Sequence, residues 1–295
     1  MSFPSLLRFA PVARIIGLLS VTLALGGCSA MKLGYQNLPH LAQWWLNGYV
    51  DFDHSQAARV RDDLDQLHAW HRTTELPGIA QLLQQVEQLA AADVTPAQVC
   101  ALEPPLRLRW AALRQRAEPM LARHALTLTA AQLQHLERKY ARNNREYTRE
   151  WIQASPAERV DKRLKQVVER AERVYGHLDD RQRALLREQL QASRHDPAII
   201  LAERRRRQQD TLAVLGRLAG QAVPQEAAVQ ALRGLMDRYA DSPDSQYRAF
   251  VQDLRQETCR LVASLHNATS PQQREHAVRR LQGWQRDAAE LSSDR

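Results

Sequence analysis

The segment Leu128-Thr129-Ala130-Ala131-Gln132 decides how the chain is read, because it is a complete helix start. The Thr129 side chain can accept from the N–H of Gln132, the Gln132 amide can accept from the N–H of Thr129, and Leu128 can pack across the cap onto Leu133. The grammar recurs as Phe52-Asp53-x-x-Gln56, Val94-Thr95-x-x-Gln98, Ser155-x-x-Glu158, Leu178-Asp179-x-x-Gln182 and Ser270-x-x-Gln273. Pro96, Pro156 and Pro271 stand at the first helical position, where a missing N–H costs nothing. The starts lead into stripes spaced by three and four, such as Leu133, Leu136, Tyr140, Asn144, Tyr147 and Trp151, with the polar Asn144 in the middle of an otherwise apolar or aromatic seam. There is no alternating strand pattern, no Gly-rich phosphate loop and no Gly-x-Ser-x-Gly. The expected fold is therefore all-α, an elongated multi-helix bundle of antiparallel helical hairpins with no sheet.

At the N-terminus, Arg8 and Arg14 precede an apolar run from Ile15 to Leu25 that is too short to span a bilayer, the signature of a secretory signal. Leu25-Gly26-Gly27-Cys28 resembles the lipobox of bacterial lipoproteins, which implies cleavage before Cys28 and acylation of that residue. Ser29, rather than Asp, follows the cysteine, and by resemblance to the sorting rule of Gram-negative lipoproteins this favours the outer membrane over the inner. The expected organisation is a signal peptide over 1–27, a tether with a short aromatic helix over 28–52, a helical domain over 53–291 that could subdivide near 195, and a disordered tail over 292–295.

Removing residues 1–27 takes away two Arg and no acids, so the net charge falls from +8 to +6 over the remaining 268 residues. A chain outside the cytoplasm does not meet nucleic acid, so the expected partners are the membrane, through the lipid, and an envelope protein or a cell-wall polymer. Cys100 and Cys259 would share a compartment where disulfides persist; they are either bridged or two buried thiols.

The densest aromatic stretch, Trp44, Trp45, Tyr49 and Phe52, is expected to be the core face of the first helix, although such rings could also lie at headgroup level. Further on, Asp65, His68, His71, Arg72 and Glu75 succeed one another at helical spacing. Two His at i, i+3 lack a third and fourth ligand, so no metal is expected, and Trp70, His71, Arg72 and Glu75 read as a polar cluster holding a turn at Glu75-Leu76-Pro77-Gly78. Pro104 and Pro105 should break or kink the helix opened by Thr95. Asn143 and Asn144 beside Tyr140 and Tyr147 resemble a sugar-binding palette, or else set register in a helix seam. Gly176 is placed as a left-handed cap. Arg204, Arg205, Arg206 and Arg207 point all round a helix axis, which predicts a protruding, solvated helix; an anionic docking ridge is the functional alternative.

Tyr35-x-x-Leu38-Pro39, Trp44-Trp45, Asp51-x-Asp53-x-x-Gln56, Trp70-His71-Arg72-x-x-Glu75-Leu76-Pro77 and the Leu-Thr-x-x-Gln start together resemble an uncharacterised lipoprotein family of Gram-negative bacteria, a domain of unknown function. That resemblance spans the mature chain and implies no activity. Leu128 to Gln132 are also similar to the repeats of Spy-type periplasmic chaperones, which implies a client-binding alternative, but this chain is about twice as long and carries a lipobox. A cell-wall enzyme is a second alternative, against which the lack of a nucleophile or carboxylate pair on loops weighs. The expectation is a non-enzymatic outer-membrane binding or scaffolding lipoprotein without a cofactor, facing the periplasm.

Overall fold

A computed structural model describes residues 26–293, with side chains from Met31 to Ser293. The expected signal peptide, all but its last two residues, and the acylation of the Cys28 side chain lie outside what is described. Every regular element among the described residues is helical. In order these are α1 (Gly26–Gln36), α2 (Leu38–Val50), α3 (His54–Trp70), a π turn (His71–Glu75), α4 (Leu76–Ala90), α5 (Pro96–Cys100), α6 (Glu103–Leu126) and α7 (Ala130–Tyr147). There follow a second π turn (Thr148–Ile152), α8 (Pro156–Tyr175), α9 (Asp180–Gln191), α10 (Pro197–Leu218), α11 (Gln225–Ala240), α12 (Ser245–Asn267) and α13 (Pro271–Ser293). The last helix reaches Ser293, so residues 292 and 293 continue a helix rather than begin a tail, and Asp294 and Arg295 are outside the described residues.

All six expected capping boxes form, at Asp53, Thr95, Thr129, Ser155, Asp179 and Ser270. The chain also breaks ahead of Pro104, between α5 and α6. The turn expected at Glu75–Gly78 does not form: α3 runs through the π turn directly into α4, with Pro77 in the first turn of α4. A proline inside a regular helix clashes with the carbonyl four residues back, and the wider π turn ahead of it relieves that clash. A Cβ on Gly78 would lie 2.8 Å from Nη1 of Arg109, so a side chain there would push aside the tip of that guanidinium. Gly176 ends α8 with φ +76° but ψ −160°, not the left-handed helical value expected, in a region open essentially to glycine alone.

The helices do not pair mainly with their neighbours in sequence. Pairings nest instead: α8 with α9, α7 with α10, α6 with α11, α5 with α12 and α4 with α13. The chain thus runs out through α7 and returns through α13 along its own outward path. Residue 195 is no boundary, since every nested pair beyond α8–α9 joins residues on either side of it. Cys100 of α5 is bonded to Cys259 of α12 with Cα atoms 5.5 Å apart, a covalent clasp across the same nest. The apolar core follows the pairing. One cluster joins Ala122 and Ala125 of α6 to Val214 and Leu218 of α10 and to Ala228, Val229, Leu232 and Leu235 of α11. Another joins Leu164 and Val168 of α8 to Leu178, Leu186 and Leu190 around α9 and Leu265 of α12.

The glutamines of four capping boxes do more than cap. Gln56 Nε2 donates to the Thr127 carbonyl (2.8 Å), Gln132 Nε2 donates to the Asp51 carbonyl (3.0 Å), and the two amides bond each other. The arrangement repeats in the second half, where Gln182 Nε2 donates to the Ala268 carbonyl (2.9 Å), Gln273 Nε2 donates to the His177 carbonyl (2.7 Å), and these amides also pair. In all four cases the accepting carbonyl lies two residues before the partner's capping residue. Two helix starts are thereby stitched side by side, α3 to α7 and α9 to α13. The box glutamines thus satisfy two loop carbonyls at each stitch that would otherwise be left without partners near the core.

Candidate functional site: an aromatic cleft beside the N-terminal helices

Helix α2 carries no Asp, Glu, Lys or Arg. Its inner side is bolted down by polar contacts: Gln43 Nε2 donates to the Ala57 carbonyl (2.8 Å), Arg61 Nε donates to Gln43 Oε1 (3.1 Å), and Asn143 Nδ2 donates to the Tyr49 hydroxyl (2.9 Å). The tryptophans are not the core face expected of them. Trp44 is 76% and Trp45 56% exposed, because Ala42, Leu46, Tyr49 and Val50 supply the side that meets α3 and α7.

Between α2, α7 and α10 lies an open cleft of about 490 Å³, reached also by Tyr239 of α11 and Tyr247 of α12. One wall is Trp45, Leu46, Tyr49 and Val50, with the Trp45 and Tyr49 rings 4.7 Å apart. The opposite wall is α10, with Ile200, Glu203, Arg204 and Arg207, and Tyr140 and Asn143 of α7 form the floor. Three features read separately in the sequence therefore meet in one place: the aromatic stretch, the Asn–Tyr palette and the arginine run. The palette divides its work. Asn143 faces the cleft, whereas Asn144 pairs its amide with Gln208 (2.7 Å) and sets the register of α7 against α10.

The arginine run is not a protruding ridge. Helix α10 is packed, with Leu201, Glu203, Val214 and Leu218 buried. Glu203, 4% exposed, takes Arg206 on one oxygen and Arg207 on the other, both at 2.7 Å. Arg207 also lies over the rings of Tyr239 (5.2 Å) and Tyr247 (5.5 Å). Arg204 stacks on Tyr147 (5.1 Å), and no carboxylate among the described residues pairs with it. Only Arg204 and Arg205 are exposed, so the run splits into two structural and two solvent-facing members. The sequence carries the signal for this split, since Glu203 stands three and four residues before Arg206 and Arg207.

Burial pushes the Glu203 carboxyl up, but hydrogen bonds from Arg206, Arg207 and Ser242 outweigh it and hold the group at about 2. Burial raises the Tyr140 phenol well above its ordinary value, and it also raises that of Tyr147, where Arg204 opposes it. Near neutral pH the carboxylate stays ionised and these phenols stay protonated, so these groups offer stacking faces, hydrogen bonds and one uncompensated guanidinium rather than a group poised to exchange protons.

The other expected cluster is dispersed. Tyr35 of α1 bonds His71 Nδ1 (2.8 Å) and its ring lies 4.6 Å from that of His68. Arg72 Nε donates to the Leu291 carbonyl of α13 (3.0 Å), Glu75 receives Arg109 of α6 (3.3 Å), and Trp70 is half-buried. These residues ring the π turn as a joint between α1, α6 and α13, each reaching a different element, and their expected use in holding a turn is replaced by that joint. Among the described residues no three His, Cys, Asp or Glu come together as metal ligands.

No curated protein and no solved structure matches the chain. A family model does match, over residues 48–248, from the end of α2 into the start of α12, and so covers the cleft's floor, its α10 wall and the first stitch, but of the α2 wall only Tyr49 and Val50, and neither α1 nor the two tryptophans. Since that match takes in more than half of the chain, the protein belongs to this family of unknown function (DUF6279).

Proposed function

We propose that the protein is an outer-membrane lipoprotein, anchored through Cys28 and facing the periplasm, that acts as a non-enzymatic binding or scaffolding module and engages an envelope protein or cell-wall polymer through the aromatic cleft. The observation that carries this reading is the meeting of Trp45, Tyr49, Tyr140, Asn143 and Arg204 in one open cleft beside the helices that follow the lipobox. Flat ring faces flanked by an amide and a guanidinium suit ligands that stack and accept hydrogen bonds. The Cys100–Cys259 bond fits the oxidising side of the inner membrane.

Two experiments test the two halves of the proposal. Cys28→Ser should leave the precursor uncleaved and unacylated, since both steps read that thiol; normal processing of the variant would end the anchor reading. A photo-crosslinking residue at Tyr247 should capture one defined envelope component in intact cells, while the same residue at the exposed Arg279 of α13 should not. Equal or absent capture at both positions would remove the cleft as the binding surface.

A further inference from the structure

The outer side of α2 is exposed, apolar and without charge. At 100° per residue, Trp44, Gly48, Leu41, Trp45 and Leu38 fall within one arc of about 120°, bordered on one side by His40 and Asn47 and on the other by Tyr49 and Ala42. Leu38 is 47%, Leu41 53%, Trp44 76% and Trp45 56% exposed, and a Cβ on Gly48 would meet nothing within 4 Å. The arc exposes on the order of 500 Å² of apolar surface, at the upper end of what a monomer leaves bare. It lies inside the run 33–50, which holds no Asp, Glu, Lys or Arg at all. The other group of exposed large apolar residues, Leu106, Leu108 and Trp110 of α6, is different: Arg107 and Arg109 interrupt it, and Leu108 points away from the other two.

We infer that this arc of α2 is a second membrane contact, lying in the headgroup layer of the leaflet that holds the Cys28 lipid. The inference rests on the anchor reading above and deepens it. The position in the chain favours a lipid surface over any other occupant. At about 1.5 Å per helical residue, Leu38 lies no more than ~15 Å from Cys28 and Trp45 no more than ~25 Å. The arc therefore cannot leave the neighbourhood of the bilayer. Tryptophan is the residue that prefers the headgroup level, with its ring in apolar surroundings and its N–H in the wet layer. The 13 residues of α2 reach only about 20 Å, and no helix among the described residues is long and apolar enough to cross a membrane, so α2 lies along the surface. Because its inner side is fixed to α3 and α7, a docked α2 gives the whole bundle one orientation and holds the mouth of the cleft, which shares Trp45, at the membrane.

The test uses the mature acylated protein in phosphatidylethanolamine–phosphatidylglycerol vesicles whose acyl chains carry bromine near the headgroup, with tryptophan emission as the readout. Mass spectrometry first confirms acylation. Two of the six tryptophans should be quenched, lowering emission by roughly a third. The double variant Trp44→Phe, Trp45→Phe should lose that quenching while staying vesicle-bound, and Leu41→Asp should reduce it several-fold with helix content unchanged. An acylated, vesicle-bound protein whose emission is quenched no more than that of the double variant would overturn the inference. So would quenching that is absent while crosslinks through α2 join two copies. An unacylated protein would sink the anchor reading alone, since the same quenching on vesicles added to that protein still decides whether the arc enters lipid.

Discussion

Gln132→Glu separates the two jobs of the capping-box glutamine. Glutamate keeps the acceptor that Gln132 Oε1 offers to the Thr129 N–H (2.9 Å), so the cap itself survives. It loses the amide hydrogens that reach the Asp51 carbonyl (3.0 Å) and Gln56 Oε1 (2.5 Å), and it turns a carboxylate toward that second oxygen. Gln132 is 8% exposed, so water replaces these bonds poorly. The part-buried Asp51 carbonyl left unmade costs about 1–3 kcal/mol, and the carboxylate set against Gln56 Oε1, which keeps only the Asp53 N–H, costs about as much again. The helix dipole returns under about 1 kcal/mol to a carboxylate at this position, leaving a net loss of about 3 kcal/mol. Gln98→Glu is the internal control, because Gln98 bonds only its own capping residue Thr95 and should change stability by less than about 0.5 kcal/mol. Urea unfolding of both variants at pH 7, followed by circular dichroism, reads the difference as a shift in midpoint at constant slope. Equal costs for the two substitutions would refute the stitch as a source of stability.

Three further expectations can be checked on the same protein. The Cys100–Cys259 bond closes a loop of 159 residues, so reduction, or Cys259→Ser, should lower stability by about 5 kcal/mol by loop-closure entropy, and the oxidised chain should migrate faster on non-reducing gels; identical urea midpoints with and without reductant would contradict this. Gly176→Ala should cost about 1–3 kcal/mol in the same assay, since φ +76° with ψ −160° excludes a Cβ; a neutral substitution would mean that the α8–α9 corner relaxes freely. Glu203 is held at about 2 when folded against an ordinary 4.5, a difference worth about 3 kcal/mol. A depressed carboxyl contributes its stability above the unfolded value and loses it as pH falls through the folded one, so wild type should exceed Glu203→Gln by about that amount at pH 7, with the gap closing between about 4.5 and 2. A gap independent of pH would show that Glu203 acts by shape rather than charge.

Helix starts were legible because a capping box is local: four residues contain donor, acceptor and apolar staple. What each helix packs against was not. A three-four stripe says that a face is buried but does not name its partner, and short loops suggest hairpins. Yet only α8–α9 among the nested pairs joins neighbours, while α4 waits for α13 and α6 for α11. The π turns were equally invisible, since the one at His71 is formed among contacts with Tyr35, Leu291 and Arg109, all distant in sequence. The stitches leave a partial trace. A box closed by glutamate, as at Ser155, has no amide hydrogens to give a neighbour, and Glu158 bonds only its own cap; but Gln98 has them and uses none, so the residue type permits a stitch without specifying one. The cleft was legible as three separate fragments, whose convergence depends on α2 and α10 packing on the same helix, α7.

The corner between α2 and α3 ties these observations together. Asp51 is the one non-glycine among the described residues with positive φ (+56°), a conformation that a side chain adopts only when its surroundings hold it. Here they do so from both sides: Asn47 Oδ1 accepts the Phe52 N–H (2.9 Å), and Gln132 donates to the carbonyl of Asp51 itself. The stitch that joins α3 to α7 is therefore also the clamp that sets the angle at which α2 leaves the bundle. That angle aims the tryptophans outward while Tyr49 turns in toward Asn143, so one glutamine amide links the start of the fold to the mouth of the cleft.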